Sequence, residues 1–290
     1  MRYELKNEFL TVQVSSIGSE LQSIKNVSGL EYVWQVDKDV WPRQAPILFP
    51  IVGRLNDDHY YVEGREYKMT QHGFARDQEF TLISNTDSKL VLRLKDNEES
   101  HKIYPYKFEL TVTYLLNGIN VSVSYVVKNI DQNKVLYFSI GAHPGFKVPM
   151  DEKLSYEDFK IGFSPKEKRV TIPVAGHSAD VRNSHETANQ DFNLNREAFK
   201  KDALIYELTS ATDISLTSPS TDHKVIFNTG NAKYVGLWST YPTEGKFICI
   251  EPWWGLADTP ESDGQFISKK AINKLESNDE FEAHYSINIE

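Results

Sequence analysis

The most regular feature of this chain is alternation of apolar and polar residues over short runs, the period-two signature of half-buried β-strands. Leu10-Thr11-Val12-Gln13-Val14 shows it first. The clearest case is Leu110-Thr111-Val112-Thr113-Tyr114-Leu115 followed, through Asn117-Gly118, by Val121-Ser122-Val123-Ser124-Tyr125-Val126-Val127. Asn-Gly between alternating runs is the strongest short-range hairpin signal, because these residues accept the positive φ of a tight turn. Tyr60-Tyr61-Val62 and Tyr67-Lys68-Met69 around Gly64 predict a second hairpin. Further strands are expected at Glu79–Ile83, Leu90–Leu94, Leu204–Tyr206, Ile214–Leu216, Lys224–Phe227 and Tyr234–Trp238, and the run Tyr137–Phe146 reads as a strand running into a proline stop. Phe281, Ala283, Tyr285, Ile287 and Ile289 alternate to the end, which ties the C-terminal run into a sheet. Residues 166–195 are polar and poorly periodic and read as loop with edge strands, after which Asn195 caps one helical turn. No stretch sustains a period of 3.6 and no repeat is present. Many short strands without a linker-like break predict an all-β fold, one large sandwich.

Two segments depart from this pattern. Residues 41–55, from Trp41 to Leu55, contain Pro42, Pro46 and Pro50, which exclude a helix interior or a central strand, yet the segment is too apolar for an exposed loop. It is expected to lie buried across a sheet or to line a cleft. Arg54 at its end is then a charge near the interior and needs a partner. The second segment is Lys246-Phe247-Ile248-Cys249-Ile250, a buried strand that runs into Glu251-Pro252-Trp253-Trp254-Gly255. A period of two puts Glu251 on the face of Phe247 and Cys249. Pro252 pushes the preceding residue into extended geometry and predicts Glu251 as the strand's last extended residue. A partly desolvated carboxylate there is a stronger base than one in bulk water. The two indoles beside it suit an apolar sugar face, although tryptophans serve as packing more often.

Charge and composition narrow the partners. A net charge of −9 argues against nucleic acid or an anionic membrane, both of which need basic patches. A single cysteine, Cys249, excludes an internal disulfide framework and fits a reducing compartment. The first residues lack an apolar signal core and no apolar run is long enough to span a bilayer, so the expectation is a soluble, cytoplasmic protein. Composition leaves the oligomeric state open.

Chemistry concentrates at a few positions. His143 precedes Pro144 as Glu251 precedes Pro252, which places an imidazole and a carboxylate at strand ends, the equipment for paired general acid and base catalysis. The competing reading, a structural histidine and a rim carboxylate, has even standing on these residues alone. His72 stands beside Gly73, where backbone could approach a ligand or simply turn tightly. Arg43, Arg54 and Arg76 could converge on a hydroxyl-rich or phosphorylated ligand, or form surface ion pairs. The other six histidines, His59, His101, His177, His185, His223 and His284, lie in polar sequence and read as solvated. No His-x-x-x-His, phosphate-binding glycine loop or Gly-x-Ser-x-Gly elbow occurs, which disfavours zinc, nucleotide and serine-hydrolase readings.

Taken in order, Arg54, His72-Gly73, His143-Pro144 and Glu251-Pro252-Trp253 resemble the aldose 1-epimerase (galactose mutarotase) family. The segments from Ile47 to Leu55 and from Gln71 to Arg76 bring the chain nearest to its LacX-like branch. The resemblance spans nearly the whole chain. It implies one galactose mutarotase-like β-supersandwich domain over residues 1–290, with few short helices, a shallow sugar cleft and neither metal nor cofactor. The implied activity is that of an isomerase of carbohydrate metabolism, interconverting α- and β-anomers of a hexose through ring opening, bond rotation and closure. By the same resemblance His143 is the general acid and Glu251 the general base, set on opposite sides of one pyranose-sized gap. His72 polarises the ring oxygen, while Arg54 and Asp202 bind sugar hydroxyls beside Trp253. Gly145 stands where many members carry an aromatic, which predicts a wider cleft, and no histidine follows Asp202. Arg76 with Arg54 would suit a sugar phosphate, as in the related hexose-6-phosphate mutarotases. A non-catalytic sugar-binding module on the same fold is the alternative from another class. A glycoside hydrolase ranks last, for want of a second confident carboxylate.

Overall fold

The computed structural model describes residues 1–188 and 190–290. Among these, two large antiparallel sheets face one another. The first runs, edge to edge, through Phe192–Asn193, Lys160–Ser164, Asp213–Thr217, Val225–Asn228, Glu280–Ile289, Asn120–Asn129, Phe108–Asn117, Lys89–Lys95 and Thr81–Asn85. Its central strands alternate strictly between buried and less buried positions, so one face enters the core and the other meets solvent. The Asn117-Gly118 signal is realised, with Asn117 pairing Asn120 across a two-residue turn.

The second sheet carries the candidate site, and its strands are labelled here in chain order. They are β1 (Ile47–Leu48), β2 (Ile140–Ala142), β3 (Gly145–Lys147), β4 (Arg169–Ile172), β5 (His185–Thr187), β6 (Leu204–Glu207), β7 (Tyr234–Trp238) and β8 (Phe247–Trp254). Across the sheet they run β5-β4-β6-β7-β8-β2-β1, with β3 also paired to β8. Every residue of β8 is buried. Ile248, Ile250 and Trp254 join the core between the sheets, where Trp254 meets Tyr125 of the first sheet edge-on at 6.4 Å. Phe247, Cys249, Glu251 and Trp253 belong to separate clusters or lie on the cleft, consistent with the opposite face.

Pro252 does not end this strand: β8 continues to Trp254, so Glu251 sits in its middle. The proline is tolerated because β8 is paired by two short strands on one side, β2 and β3, with His143 and Pro144 outside both. Beyond the bond from the Ile250 N–H to the Pro144 carbonyl the ladder is interrupted opposite residues 251 and 252, where a residue without an N–H costs little. The proline-rich segment behaves as expected. Ala45 to Val52 is buried, only Ile47–Leu48 forms strand, and Pro46, Val52, Gly53 and Arg54 line a cleft. Asn195 accepts a hydrogen bond from the Ala198 N–H and caps a 3-10 turn. A short α-helix at Glu98–Ile103 comes in addition, held by a capping box between Asn97 and Ser100. No helix among the described residues is long and apolar enough to cross a membrane.

Candidate active site

Sheet register builds the site. Gly141 pairs Trp253 and Gly145 pairs Cys249, a single continuous register that sets His143 directly opposite Glu251 on the neighbouring strand. Residues opposite one another share a face. His143 Nε2 accordingly lies 3.2 Å from Glu251 Oε2 on the floor of a cleft of about 580 Å³. The two groups stand side by side rather than across a gap, which corrects the expectation of opposed side chains. Both are nearly inaccessible, at 7% and 1% exposure.

Burial governs the electrostatics. It pushes His143 down to about 3, with the charge of Arg76 acting the same way. Glu251 is raised well above the usual carboxylate range, first by burial and then by the charge of Asp202. Burial thus favours a neutral imidazole beside an uncharged carboxyl group, the form with one exchangeable proton on the pair.

His72 comes from a different construction. Phe49 forms a bridge with Gly73, so the proline-rich strap and the His72 turn lie against each other. His72 adopts φ +67° and its Nδ1 accepts a hydrogen bond from the Gly53 N–H at 3.1 Å. Burial first, then coupling to the His143 ring and the charges of Arg76 and Arg43, pushes this ring well below the usual histidine value and keeps it neutral. With Nδ1 accepting, the single ring proton sits on Nε2 as a donor. The His72 and His143 rings meet nearly perpendicular at 5.6 Å.

Aromatic rings wall the floor. Trp253 lines the cleft, and its indole lies over two glycines of the flanking strands. A Cβ on Gly141 would come within 2.8 Å of it and one on Gly236 within 2.6 Å. Trp254 faces the core, so only one of the adjacent tryptophans is available to a ligand. Trp41 and Trp238 supply the rest of the wall and flank His143 at 5.1 and 5.5 Å between ring centroids. Gly145 does not widen the cleft: Trp41 occupies the space, 2.8 Å from where a Cβ would stand. That aromatic arrives from a distant part of the chain, and alternation gives no sign of it.

The arginines divide. Arg43 and Arg76 both line the cleft and share one carboxylate, Asp77, at 2.8 Å from Arg43 Nη1 and 3.8 Å from Arg76 Nε. Arg76 also donates to the Gln71 carbonyl at 2.7 Å. Arg54 is partly exposed at the cleft edge rather than interior, and its partner is Asp58 at 3.0 Å. Asp202 also lines the cleft, at φ +80°; desolvation raises its carboxyl, partly offset by a hydrogen bond from the Ala203 N–H. His177 and Lys200 line it too, both of them exposed, as the sequence reading of His177 as solvated expects. The structure thus brings His72, His143, Glu251, Arg43, Arg54, Arg76, Asp202 and Trp253 to one cleft, and adds Trp41, His177, Lys200 and Trp238.

Comparison with known proteins places the chain among characterised sequences and folds. The chain is 33% identical over 299 residues to the chromosomal and to the plasmid-borne protein LacX of Lactococcus lactis subsp. lactis, covering all of this chain and 99% of each relative. A solved galactose mutarotase related enzyme from Lactobacillus acidophilus superposes with a TM-score of 0.98 at 38% identity, over 100% of this chain and 97% of that one. A galactose mutarotase-like protein from Lactobacillus casei gives 0.92 at 28% identity, with both chains fully covered. The model of the family described as aldose 1-epimerase matches residues 1–271. With that match over residues 1–271 and relatives 33% identical along its whole length, this chain belongs to the aldose 1-epimerase family.

Proposed function

We propose that the protein is an aldose mutarotase in which His143 and Glu251 exchange protons with the two oxygens on the anomeric carbon. The observation that carries this reading is their contact at 3.2 Å on the cleft floor. The ring oxygen and the anomeric hydroxyl are bonded to one carbon, so an acid and a base serving both must stand together. In ring opening, His143 in its protonated form gives a proton to the ring oxygen and Glu251 as carboxylate takes the proton of the anomeric hydroxyl. The C1–O5 bond breaks and its electrons stay on the ring oxygen, while the anomeric C–O bond becomes the carbonyl. The products are an open-chain aldehyde, a neutral imidazole and a carboxylic acid. That protonation state is the one burial favours at rest. Rotation about C1–C2 presents the other carbonyl face, and closure runs the same transfers in reverse. The cycle needs no proton from solvent. His72, neutral with its proton on Nε2, is suited to donate to the ring oxygen, and Trp253 to pack against the apolar face of the sugar.

The direct test is anomer exchange on freshly dissolved glucose or galactose, followed by polarimetry or NMR saturation transfer. Acceleration over buffer alone supports the reading; sugar binding without acceleration favours a non-catalytic module. The activity should hold in the state with one proton on the pair. Because burial lowers His143 and raises Glu251, a second proton adds only well below the usual histidine value, and the last proton leaves only above the usual carboxylate range. The expected profile of kcat/KM has its acid limb far below ~6.5 and its alkaline limb above the usual carboxylate range. An acid limb centred on ~6.5 would contradict this account.

A second reading concerns the substrate. Arg43, Arg54, Arg76 and Lys200 line the cleft against Asp202 and Glu251, in a chain whose net charge is −9. Arg43 and Arg76 also share a single carboxylate. Two guanidinium groups sharing one carboxylate favour an anionic sugar such as a hexose phosphate. Charge-assisted hydrogen bonds contribute about 1.5–3 kcal/mol each, so Arg43→Ala should raise KM for the phosphorylated hexose by about 10–100-fold. The neutral hexose should be little affected. Equal KM changes for both sugars would remove the phosphate reading.

A further inference from the structure

The thiol of Cys249 has no place in proton transfer, yet it is fully buried beside the pair that does. Cys249 and Glu251 are two residues apart on the same face of β8, and His143 stands opposite Glu251 on the adjoining strand. One ligand atom from each residue, the sulfur, a carboxylate oxygen and a ring nitrogen, can be chosen so that all three lie within 4.8 Å of one another. We propose that His143, Cys249 and Glu251 form an inhibitory site for a thiophilic divalent cation of the zinc type.

The chemistry of the donor set fits. Zinc takes thiolate sulfur at about 2.3 Å and imidazole nitrogen or carboxylate oxygen at about 2.0–2.2 Å, so tetrahedral ligand atoms stand roughly 3.3–3.8 Å apart. The nitrogen–oxygen pair is already at 3.2 Å. Small side-chain rotations would draw in the sulfur. No hydrogen bond holds the His143 ring through Nδ1, which is buried without a partner. Two of the ligands line the cleft, which leaves an entry path and a fourth position for water or a sugar hydroxyl.

Charge also balances. Binding replaces the thiol proton and the proton shared by His143 and Glu251, so a dication meets one thiolate, one carboxylate and one neutral imidazole. The buried site stays neutral overall, and two protons leave to solvent. Both groups needed for anomer exchange are then tied to the metal. The inhibitory effect rests on the mutarotase reading; the binding itself does not.

The test uses the full chain titrated with zinc by calorimetry, and with cadmium as a spectroscopic probe of thiolate ligation. The expected result is one equivalent bound, with a thiolate-to-cadmium charge-transfer band in the near ultraviolet. Cys249→Ala should abolish the band and weaken zinc binding by at least ~100-fold, since even outer-shell partners of a metal ligand are worth 10–100-fold. Zinc should slow anomer exchange in the unaltered chain and leave Cys249→Ala uninhibited. Unchanged affinity in Cys249→Ala, or cadmium binding without the band, overturns the site. Binding with the band but without inhibition overturns its inhibitory role. A chain that binds zinc as described but never exchanges anomers would leave the site standing and remove the mutarotase reading instead.

Discussion

Glu251→Gln lowers the rate of anomer interconversion by about 10²–10⁴-fold, the usual contribution of a positioned general base. The substitution keeps shape and hydrogen-bonding capacity and removes only the ability to take up a proton. Because burial favours the uncharged form of this carboxyl, the amide puts a neutral group where a neutral group is favoured. Stability should therefore change by less than about 1 kcal/mol, within the ordinary range for isosteric replacements. His143→Asn removes the other terminus of the same transfer and should cost a similar factor. The double variant should be little worse than either single one, since the pair shares one proton and residues acting as a unit are not additive. Polarimetry gives the rates, and a denaturant midpoint checks that the fold survives. Unchanged rates in both single variants would remove the assignment. Retained sugar binding by Glu251→Gln with no rate in the parent would favour the binding-module alternative.

Gly73→Ala destabilises the protein by about 3–5 kcal/mol, in the exceptional range for a single substitution. Two costs add at this position. The backbone is at φ +71°, where a side chain is strained, and an added Cβ would lie 2.3 Å from the Phe49 carbonyl oxygen. That oxygen cannot move freely, because it accepts hydrogen bonds from the N–H groups of Phe74 and Ala75. The strap of residues 47–54 would have to shift, and with it the Gly53 N–H that fixes the His72 tautomer. Chemical denaturation measures the stability, and any activity left in the folded fraction should show a weakened His72 contribution. A midpoint equal to that of the parent would mean the strap and the turn are not locked as described.

Much of the fold is legible along the chain because strands with one wet face must alternate. Phe108–Asn117, Asn120–Asn129 and Glu280–Ile289 are each visible in this way. The helix at Glu98–Ile103 is too short for a period of 3.6 to show, and its signal is the Asn97–Ser100 capping pair alone. Pro252 misleads for a specific reason. Proline usually stops a central strand, but here the neighbouring ladder is already broken opposite residues 251 and 252.

For the site, sequence alone determined residue types and faces: Glu251 shares a face with Cys249, the motifs match the family, and the proline-rich strap is buried. Contacts are another matter. Alternation fixes which side of a sheet a residue takes but not which residue lies opposite, because a shift of two positions preserves every face. That His143 meets Glu251 was decided by the register of β2, β3 and β8. Trp41 filling the room beside Gly145, and Arg43 and Arg76 sharing Asp77, likewise follow from how the strap and turn pack on the sheet. The same packing excludes water from the pair and sets its proton, since desolvation depends on all the surrounding atoms and on no single stretch of chain.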